Sequence, residues 1–374
     1  MLKGINLTLL IGPAVPVPAP KTVMDALTSV QVNSSTDRSG FQLTFGISKV
    51  SPLLKIMLPA GYFDPIVTRV IIIVTVAGIP NVLMDGIVTR QEISPSSEPG
   101  QSTLTITGED LSVLMDVIQV QRSFPAMPDI AQINTILAPY ATFGVVPLVI
   151  PPFIPFVRSP TSGYYNQNST DLEYIRWLSS SCGYVFYVEP GPAPGSSIAY
   201  FGPDIRIPNP QPALNINMDA HTNVESLSFS LDGLAKQIMV VNVLEPATRR
   251  IPIPVPVPNV SIFRPPLGAR PTAPAKLEYA DNVATEPPDN AARLILGRLL
   301  RATDAISGNG SLDVLRYGRV LRSRQLVGVR GAGLAYDGMY YVNSVTHNLK
   351  RGEYKQNFSL SRDGLISQTP RVVP

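Results

Sequence analysis

The chain has 374 residues, enough for two or three domains, and a net charge of only +3. Charged residues make up 15% of it, against about 25% in typical soluble proteins, so we expect much of its surface to be buried in an assembly. The small charge excess argues against nucleic-acid binding. Although proline reaches 38 residues, proline and glycine together stay below the level of disordered chains. The composition therefore predicts a folded protein with proline-rich insertions.

The chain start and its most apolar segment do not indicate export or membrane insertion. Polar Asn6 and Thr8 interrupt the apolar run of residues 1–12, which lacks the pattern of a signal peptide and is interpreted as a first strand. The segment from Val70 to Met84 is shorter than the about 20 residues that cross a bilayer, and we expect no membrane span. With one cysteine, Cys182, no disulfide can form within the chain.

Strand patterns occur near both ends of the chain and in its middle. Apolar residues alternate with polar or small ones in Phe41–Ile47 and in Leu227–Leu231, which is the period of a sheet with one buried face. The runs Thr103–Thr107 and Asn357–Ser361 repeat the pattern. The sequence therefore predicts a mainly β protein with a few short helices.

Four helices are predicted between the strands. The first has apolar residues at helical spacing: Leu111, Leu114, Met115 and Ile118. Asp129 is expected to cap the second helix, and the fourth is expected to start at Asp289. The third is the best defined, because Thr170 and Glu173 form a capping box and Gly183 is suited to end it.

Three proline-rich segments interrupt the pattern: Pro13–Pro20, Pro147–Pro160 and Ile251–Pro274. Their alternating apolar and proline residues favour extended, edge-like or polyproline conformations, because proline cannot donate a hydrogen bond inside a sheet. Since the segments are also apolar, we expect them to be arms that lie on a neighbouring subunit. Linkers between domains are the alternative. No internal sequence repeat is evident.

The sequence contains no residue spacing that is typical of a catalytic, cofactor or metal site. His221 and His347 stand outside any metal-binding arrangement and are interpreted as ordinary strand or loop residues. Cys182 has no basic neighbour in sequence and is expected to be a small buried side chain. The glycine-rich runs 308–310 and 328–333 are interpreted as turns. We therefore expect no catalytic residue, no cofactor and no metal.

The basic residues are scattered except for one crowded group: Arg319, Arg322 and Arg324. A nucleic-acid-binding surface needs a stronger excess of positive charge. We interpret the group as a solvated strand or an interface face.

One run of tyrosine, asparagine and aspartate residues leads into the third helix, Thr161–Leu178, and a glycine-aromatic strand, Gly183–Val188, follows it. Three further segments occur in a characteristic order: Leu104–Ser112, Ser226–Gly233 and a closing pair of runs, Tyr340–Leu349 and Gly352–Arg362. This series resembles the phage late control D family and the N-terminal part of type VI secretion VgrG spike proteins. The resemblance covers nearly the whole chain outside the proline-rich insertions.

The resemblance implies a structural, non-enzymatic baseplate hub of a contractile phage tail or injection system, assembled in the bacterial cytoplasm. It implies a homotrimer in which two tail-tube-like β-barrel domains per subunit form a pseudo-six-fold ring. Such a ring would join a hexameric inner tube to a trimeric spike and would contact other baseplate components. Because the chain ends at Pro374, soon after the last matching strand, the spike is expected to be a separate protein.

The expected domains are interleaved along the chain. They are a first barrel of residues 1–118 with 215–250, a second barrel with helices of residues 119–214 with 285–366, a proline-rich linker or arm of residues 251–284, and a tail of residues 367–374. Two other functions are kept as alternatives. One is a hub that also cleaves peptidoglycan, and the other is a secreted β-rich binding module.

Overall fold

The computed structural model describes residues 4–368 apart from positions 14, 37, 99, 156, 158–164, 207–209, 245–251, 258–263, 281–287 and 301–303. The described part is mainly β with a few short helices, which confirms the predicted fold class. One sheet of 13 strands carries the larger hydrophobic core. A smaller core lies in residues 87–201 together with Leu300.

The strands follow one another along the chain as β1 (Ile5–Pro13), β2 (Val17–Pro18), β3 (Leu27–Ser35), β4 (Gly40–Gly46), β5 (Thr68–Val76), β6 (Ile79–Ser94), β7 (Thr103–Asp110), β8 (Gln119–Phe124), β9 (Val145–Val149), β10 (Tyr165–Thr170), β11 (Val185–Pro190), β12 (Ser197–Gly202), β13 (Gln211–Asn215), β14 (Val224–Leu231), β15 (Gln237–Leu244), β16 (Pro252–Val257), β17 (Gly268–Pro271), β18 (Lys276–Ala280), β19 (Ile306–Asp313), β20 (Leu326–Arg330), β21 (Gly338–Lys350), β22 (Glu353–Arg362) and β23 (Gly364–Ser367).

The α-helices are α1 (Lys21–Ala26), α2 (Asp129–Leu137), α3 (Asp171–Cys182), α4 (Pro288–Leu299) and α5 (Val314–Tyr317). Short 3-10 helices span Leu111–Asp116, Ala138–Phe143 and Asp219–His221, and a π-helix spans Leu53–Met57. Strand β1 confirms the interpretation of the chain start as a strand.

The order of strands in the large sheet repeats. From β3 the sheet runs β3, β4, β7, β6, β5, and from β14 it runs β14, β19, β22, β21, β20. All of these neighbours pair antiparallel. We call β3–β7 the first unit and β14 with β19–β22 the second unit. The two units have the same topology although the sequence contains no evident repeat.

Irregularities in the pairing recur at the same places in both units. The first strand of each is bulged, between Leu27 and Ser29 in β3 and between Val224 and Ser226 in β14. The long strands β6 and β21 are also bulged where each leaves one neighbour for another. Bulges bend a strand and increase its twist. The bends in β6 and β21 lie just after the residues that pair with β5 and β20.

The two units join through an antiparallel pairing of β21 with β3, which we call the internal seam. It extends from Ser344 opposite Ser35 to Lys350 opposite Ser29. The sheet is therefore continuous from β14 to β6. Core residues alternate along its strands, as Phe41, Leu43 and Phe45 do on β4, so the predicted period is confirmed there.

The placement of β14 differs from the expected grouping of residues 215–250 with residues 1–118. Strand β14 pairs with β19 and lies beside the strands of residues 306–362. Residues 119–202 form separate small sheets around the smaller core instead of joining the large sheet. This grouping depends on hydrogen bonds between strands that are distant in sequence, so it cannot be deduced from the order of the chain. The division into two barrels itself stays a prediction.

Helix α3 is formed as predicted. The Thr170 hydroxyl accepts the Glu173 backbone N–H, the Glu173 carboxylate accepts the Thr170 N–H, and Gly183 ends the helix in a left-handed conformation with φ 71°. Helix α4 begins at Pro288, one residue before the predicted start. The first predicted helix is shorter than expected: a 3-10 helix ends at Asp116, and Ile118 is exposed just before β8.

The prediction that Asp129 caps α2 is wrong. The N-cap residue is Pro128, and no side chain caps this end. The Asp129 carboxylate instead lies 2.9 Å from the Arg293 guanidinium of α4, and both side chains are buried. A carboxylate that is buried needs a partner of opposite charge inside the protein, and Arg293 supplies it.

The alternating prolines of residues 252–257 form β16, an edge strand beside β15. Successive N–H groups of a strand point to opposite edges. Prolines at every second position can therefore all lie on the side away from β15, while the residues between them donate to it. The extended, edge-like interpretation is confirmed for this strand. Residues 14, 156, 158–160, 251 and 258–263 of the proline-rich segments lie outside the described residues, and their use as arms stays a prediction.

Candidate functional surfaces

One face of the large sheet is covered by hydroxyl and amide side chains, and we call it the polar face. In the first unit it includes Gln31, Asn33, Gln42, Thr44, Thr105 and Thr107, and in the second unit Ser226, Ser228, Asn309, Ser311, Asn357 and Ser359. These residues alternate along their strands with the core residues or with core-facing glycines. The period of two places every second side chain on the side away from the core.

The polar face continues across the internal seam. Asn33 lies opposite Thr346, and Gln31 lies opposite Asn348. Hydroxyls bond to each other across strands, as between Ser344 and Ser359 at 2.7 Å. The polar face is therefore one hydrated surface that spans both units.

Several charged residues near the margins of the polar face are paired. Arg90 and Glu92 on β6 are 3.0 Å apart, and Lys355 on β22 lies 3.0 Å from Glu225 and 3.3 Å from Glu353. A surface of neutral amides and hydroxyls with compensated charges exerts little net field on a passing molecule of either sign. Such a surface can border a water-filled channel.

A cleft of about 1030 Å³ separates α3 and β11 from the second unit. Its buried polar residues form a network around Arg206 and Asp304. The Arg206 guanidinium donates to both carboxylate oxygens of Asp304, at 3.1 and 2.8 Å, and lies 4.3 Å from the ring centre of Tyr341. The Ser361 hydroxyl on β22 donates to Asp304 at 2.5 Å. Sequence analysis missed these residues, because Arg206 and Asp304 stand in no recognisable motif.

The electrostatics of this network favour fixed charges over proton transfer. Burial by itself would raise the pKa of Asp304, but the Arg206 guanidinium and the Ser361 hydroxyl hold it below its usual value. Burial raises the pKa of the Tyr341 phenol, whose hydroxyl donates to Asp204 at 2.9 Å. Arg264 pairs with the same carboxylate of Asp204. The network therefore ties the segment Asp204–Arg206, which follows β12, to Asp304 and to strands β21 and β22 of the second unit.

The crowded arginines do not share one solvated face. Only 8% of the Arg324 side chain is exposed; its guanidinium lies 3.9 Å from the ring centre of Tyr187 and 3.4 Å from Glu189. Arg322 is exposed and donates to Asn81 at 3.0 Å. Arg324 thus packs against β11 because a weakly hydrated guanidinium can stack on an aromatic ring.

Cys182 is buried at the end of α3, as predicted. Arg293 of α4 donates to its sulfur at 2.9 Å, so the structure supplies the basic neighbour that the local sequence lacks. Burial nevertheless raises the pKa of the thiol, against the opposing effect of Arg293. A protonated, buried thiol is a poor nucleophile.

The two histidines lie apart. His347 is buried on β21, with Nδ1 2.8 Å from the Tyr354 hydroxyl and 3.1 Å from Nε2 of Gln356. Burial lowers its pKa to about 3, so the ring is neutral. His221 lies in a 3-10 helix. Within the described ranges, no group of three or more His, Cys, Asp and Glu side chains could hold a metal ion.

The interpretation of residues 308–310 as a turn is wrong. Gly308 and Gly310 lie within β19, where aromatic rings cover them. A Cβ at Gly308 would come within 2.8 Å of the Phe229 ring, and one at Gly310 within 2.6 Å of the Phe358 ring. Glycine is needed at these two positions for ring packing. Of the other run, Gly328 lies in β20, and Gly331 and Gly333 have positive φ in the turn that follows.

Solved structures similar to this chain share its fold over nearly the full length. A tail protein from Neisseria meningitidis matches with a TM-score of 0.62 and 15% identity over 97% of this chain and 98% of its own. The 43 kDa tail protein of prophage MuSo2 from Shewanella oneidensis matches with 0.61 and 12% over 96% and 99%. An E. coli component of the type VI secretion system matches with 0.53 and 11% over 93% and 77%.

The chain therefore has the β-rich fold of phage tail proteins and of a type VI secretion component, as the sequence resemblance predicts. No protein-family model and no curated protein sequence matches it. Among the residues that the structure describes, no helix is long and apolar enough to cross a membrane.

Proposed function

We propose that this protein is the structural baseplate hub of a contractile phage tail or injection system. Three copies form a ring that joins a hexameric inner tube to a trimeric spike, and the ring contacts other baseplate components. The duplicated sheet with its continuous polar face carries the proposal. The fold likeness to tail proteins supports it.

The strand arrangement supports ring formation. Eight antiparallel strands run from β14 to β6, and an even number leaves the two outer strands running in opposite directions. The next copy can then add to either edge with antiparallel pairing, and a closed ring leaves neither of these two edges exposed. Three copies with two similar units each present six similar units, which matches the symmetry of a six-fold tube.

The polar face supports a channel through the ring. Its larger part consists of Ser, Thr, Asn and Gln side chains with paired charges at the margins. If this face lines the lumen, the apolar core lies in the wall and water fills the bore. In this arrangement the first and second units are the two tube-like domains, and residues 119–202 with the smaller core lie outside the bore.

The absolute mass of the purified protein in solution tests the proposal. We expect a mass of three subunits by light scattering, either for the protein alone or with a trimeric spike protein added. A protein that stays monomeric at micromolar concentration with that spike present would contradict the hub. Electron microscopy of the trimer should show a ring with an open centre.

The proposal includes no enzymatic step and no cofactor. A hub that also cleaved peptidoglycan would lower the turbidity of a cell-wall suspension. We expect no clearing by the purified ring, with lysozyme as the positive control. Clearing that persists after further purification would show an added activity without affecting the mass result.

A further inference from the structure

The eight-stranded sheet from β14 to β6 ends in two edge strands. Each edge strand occupies the same place in its unit as one of the two strands that meet at the internal seam. In the repeated order, β6 occupies the place of β21, and β14 occupies the place of β3. Strands β21 and β3 pair with each other, whereas, among the strands that the structure describes, β14 and the C-terminal half of β6 each have a neighbour on one side only. The pairing at the seam therefore indicates how these two edges can pair with each other when they belong to different copies.

The bulges fix which residues of β6 and β21 correspond. The bulge in β6 follows Val88 and the pairing resumes at Arg90, while the bulge in β21 follows Val342 and the pairing resumes at Ser344. Arg90 therefore corresponds to Ser344. Two residues further along, Glu92 corresponds to Thr346.

The bulges fix the correspondence of β3 and β14 in the same way. Pairing resumes at Ser29 in β3 and at Ser226 in β14. Counting along the strands, Asn33 corresponds to Ser230, and Ser35 corresponds to Asp232. The neighbouring strands agree, since Gly40 opposite Asn33 corresponds to Ser307 opposite Ser230.

We propose that the C-terminal half of β6 pairs with β14 of the next copy in the register of the internal seam. In the seam, Ser344 lies opposite Ser35 and Thr346 lies opposite Asn33. The same register between copies sets Arg90 opposite Asp232 and Glu92 opposite Ser230. This inference rests on the proposed ring and names the surface through which the copies join.

The chemistry of the two edges fits this register. Arg90 is 72% exposed and Asp232 is also exposed, so opposite charges meet at the margin of the polar face. On the other side of the sheet, Ile93 comes opposite Phe229, an aliphatic–aromatic pair of the kind that stabilises neighbouring strands. Ile93 and Leu231 are 43% and 39% exposed in the single chain, and the pairing covers both.

Cysteine cross-linking tests the register. The double variant Glu92→Cys/Ser230→Cys places two thiols at directly opposite positions of neighbouring copies, within disulfide range. Inside one copy these positions lie at the two edges of eight strands, about 34 Å apart, so only a link between copies can form. The native cysteine, Cys182, is 4% exposed and does not interfere.

The matched control is Glu92→Cys/Ser226→Cys. It replaces the same two residue types on the same face, but Ser226 lies four residues along β14 from Ser230. Ser226 is therefore about 13 Å from the position opposite Glu92, which is out of disulfide range. After mild oxidation we expect the first variant to run as covalent dimers and trimers on a non-reducing gel and the control to stay monomeric.

The outcomes separate the register from the ring. Suppose that the unmodified protein has the mass of three copies but the control variant forms cross-links, with or without cross-links in the first variant. The register is then wrong, and the hub proposal stands. A trimeric protein in which neither variant cross-links also overturns the register. An unmodified protein that stays monomeric overturns both.

Charge reversal gives a second, independent measurement. Arg90→Asp or Asp232→Arg alone places like charges opposite each other at every junction and should raise the dissociation constant of the ring roughly tenfold. The double variant Arg90→Asp/Asp232→Arg should restore it, and Arg316→Asp at an exposed position of α5 should leave it unchanged. Single and double variants that weaken the ring equally would contradict the pairing.

Discussion

His347 illustrates how burial decides the chemistry of a single side chain in this protein. The sequence predicts an ordinary strand or loop residue outside any metal-binding arrangement, and the structure places its ring in the core against Tyr354 and Gln356. Its pKa is lowered to about 3 because the charged form would be desolvated. The unfolded chain, by contrast, binds a proton at about pH 6.5.

This difference predicts how stability depends on pH. Below about pH 6.5 the unfolded state takes up a proton at His347 that the folded state refuses until about pH 3, so stability is lost as pH falls through this window, by about 1.4 kcal/mol per pH unit. His347→Gln should remove this loss. Urea unfolding gives the free energy of unfolding of both proteins at pH 7 and pH 5. The contributions of other titrating groups are the same in both proteins and cancel when the two losses are compared. Equal losses in the two proteins would contradict the assignment.

The buried ion pairs show what residue-level prediction could not reach. Asp129 has the identity and position of a helix cap, but its partner is Arg293, which stands far along the chain. A capping rule considers only neighbours within one turn of helix. The choice between the two partners depends on whether the fold brings Arg293 of α4 to the start of α2, and the local sequence does not specify that.

At the scale of elements, α3 was predictable because its start and its end are specified within a few residues. The capping box and the left-handed Gly183 are both present. The 3-10 helix at Leu111–Asp116 was predicted less well. The apolar spacing there resembles a longer helix, but strand β8 begins at Gln119 and shortens it.

Thr170→Ala should destabilise α3. The Thr170 hydroxyl accepts the Glu173 N–H and donates to Asp116 at 2.8 Å, and removing an N-cap of this kind costs about 1 kcal/mol. Urea unfolding measures the change. Thr170→Ser keeps the hydroxyl and is the control, so a loss of equal size in both variants would point to the methyl group and contradict the capping explanation.

At the scale of the whole molecule, a buried polar network lies in the cleft between α3, β11 and the second unit. Arg206 follows β12, Asp304 precedes β19, and Ser361 lies on β22. Arg206 and Asp304 have side-chain exposures of 5% and 14%. Removing one partner of a buried pair leaves the other charge uncompensated.

Asp304→Asn should therefore cost about 3 kcal/mol of unfolding free energy, because the Arg206 guanidinium would stay buried without a counter-charge. Hydrogen exchange should become faster in α3 and β11, which border the cleft, before it changes in β3 and β4. Asp219→Asn, at an exposed position, is the control and should change neither quantity. Hydrogen exchange that becomes faster to the same extent in both cores would contradict a local effect of the Arg206–Asp304 pair.

By itself, the sequence determined the mainly β class, the alternation of core and polar residues on strands such as β4, and both ends of α3. These features depend on residues within a few positions of each other. Only the tertiary structure decided that two units repeat, that β14 lies beside β19, and that Arg206 meets Asp304 across 98 positions of the chain. Long-range pairing follows from how strands stack to bury a common core, and many sequences satisfy the same packing without sharing a visible repeat.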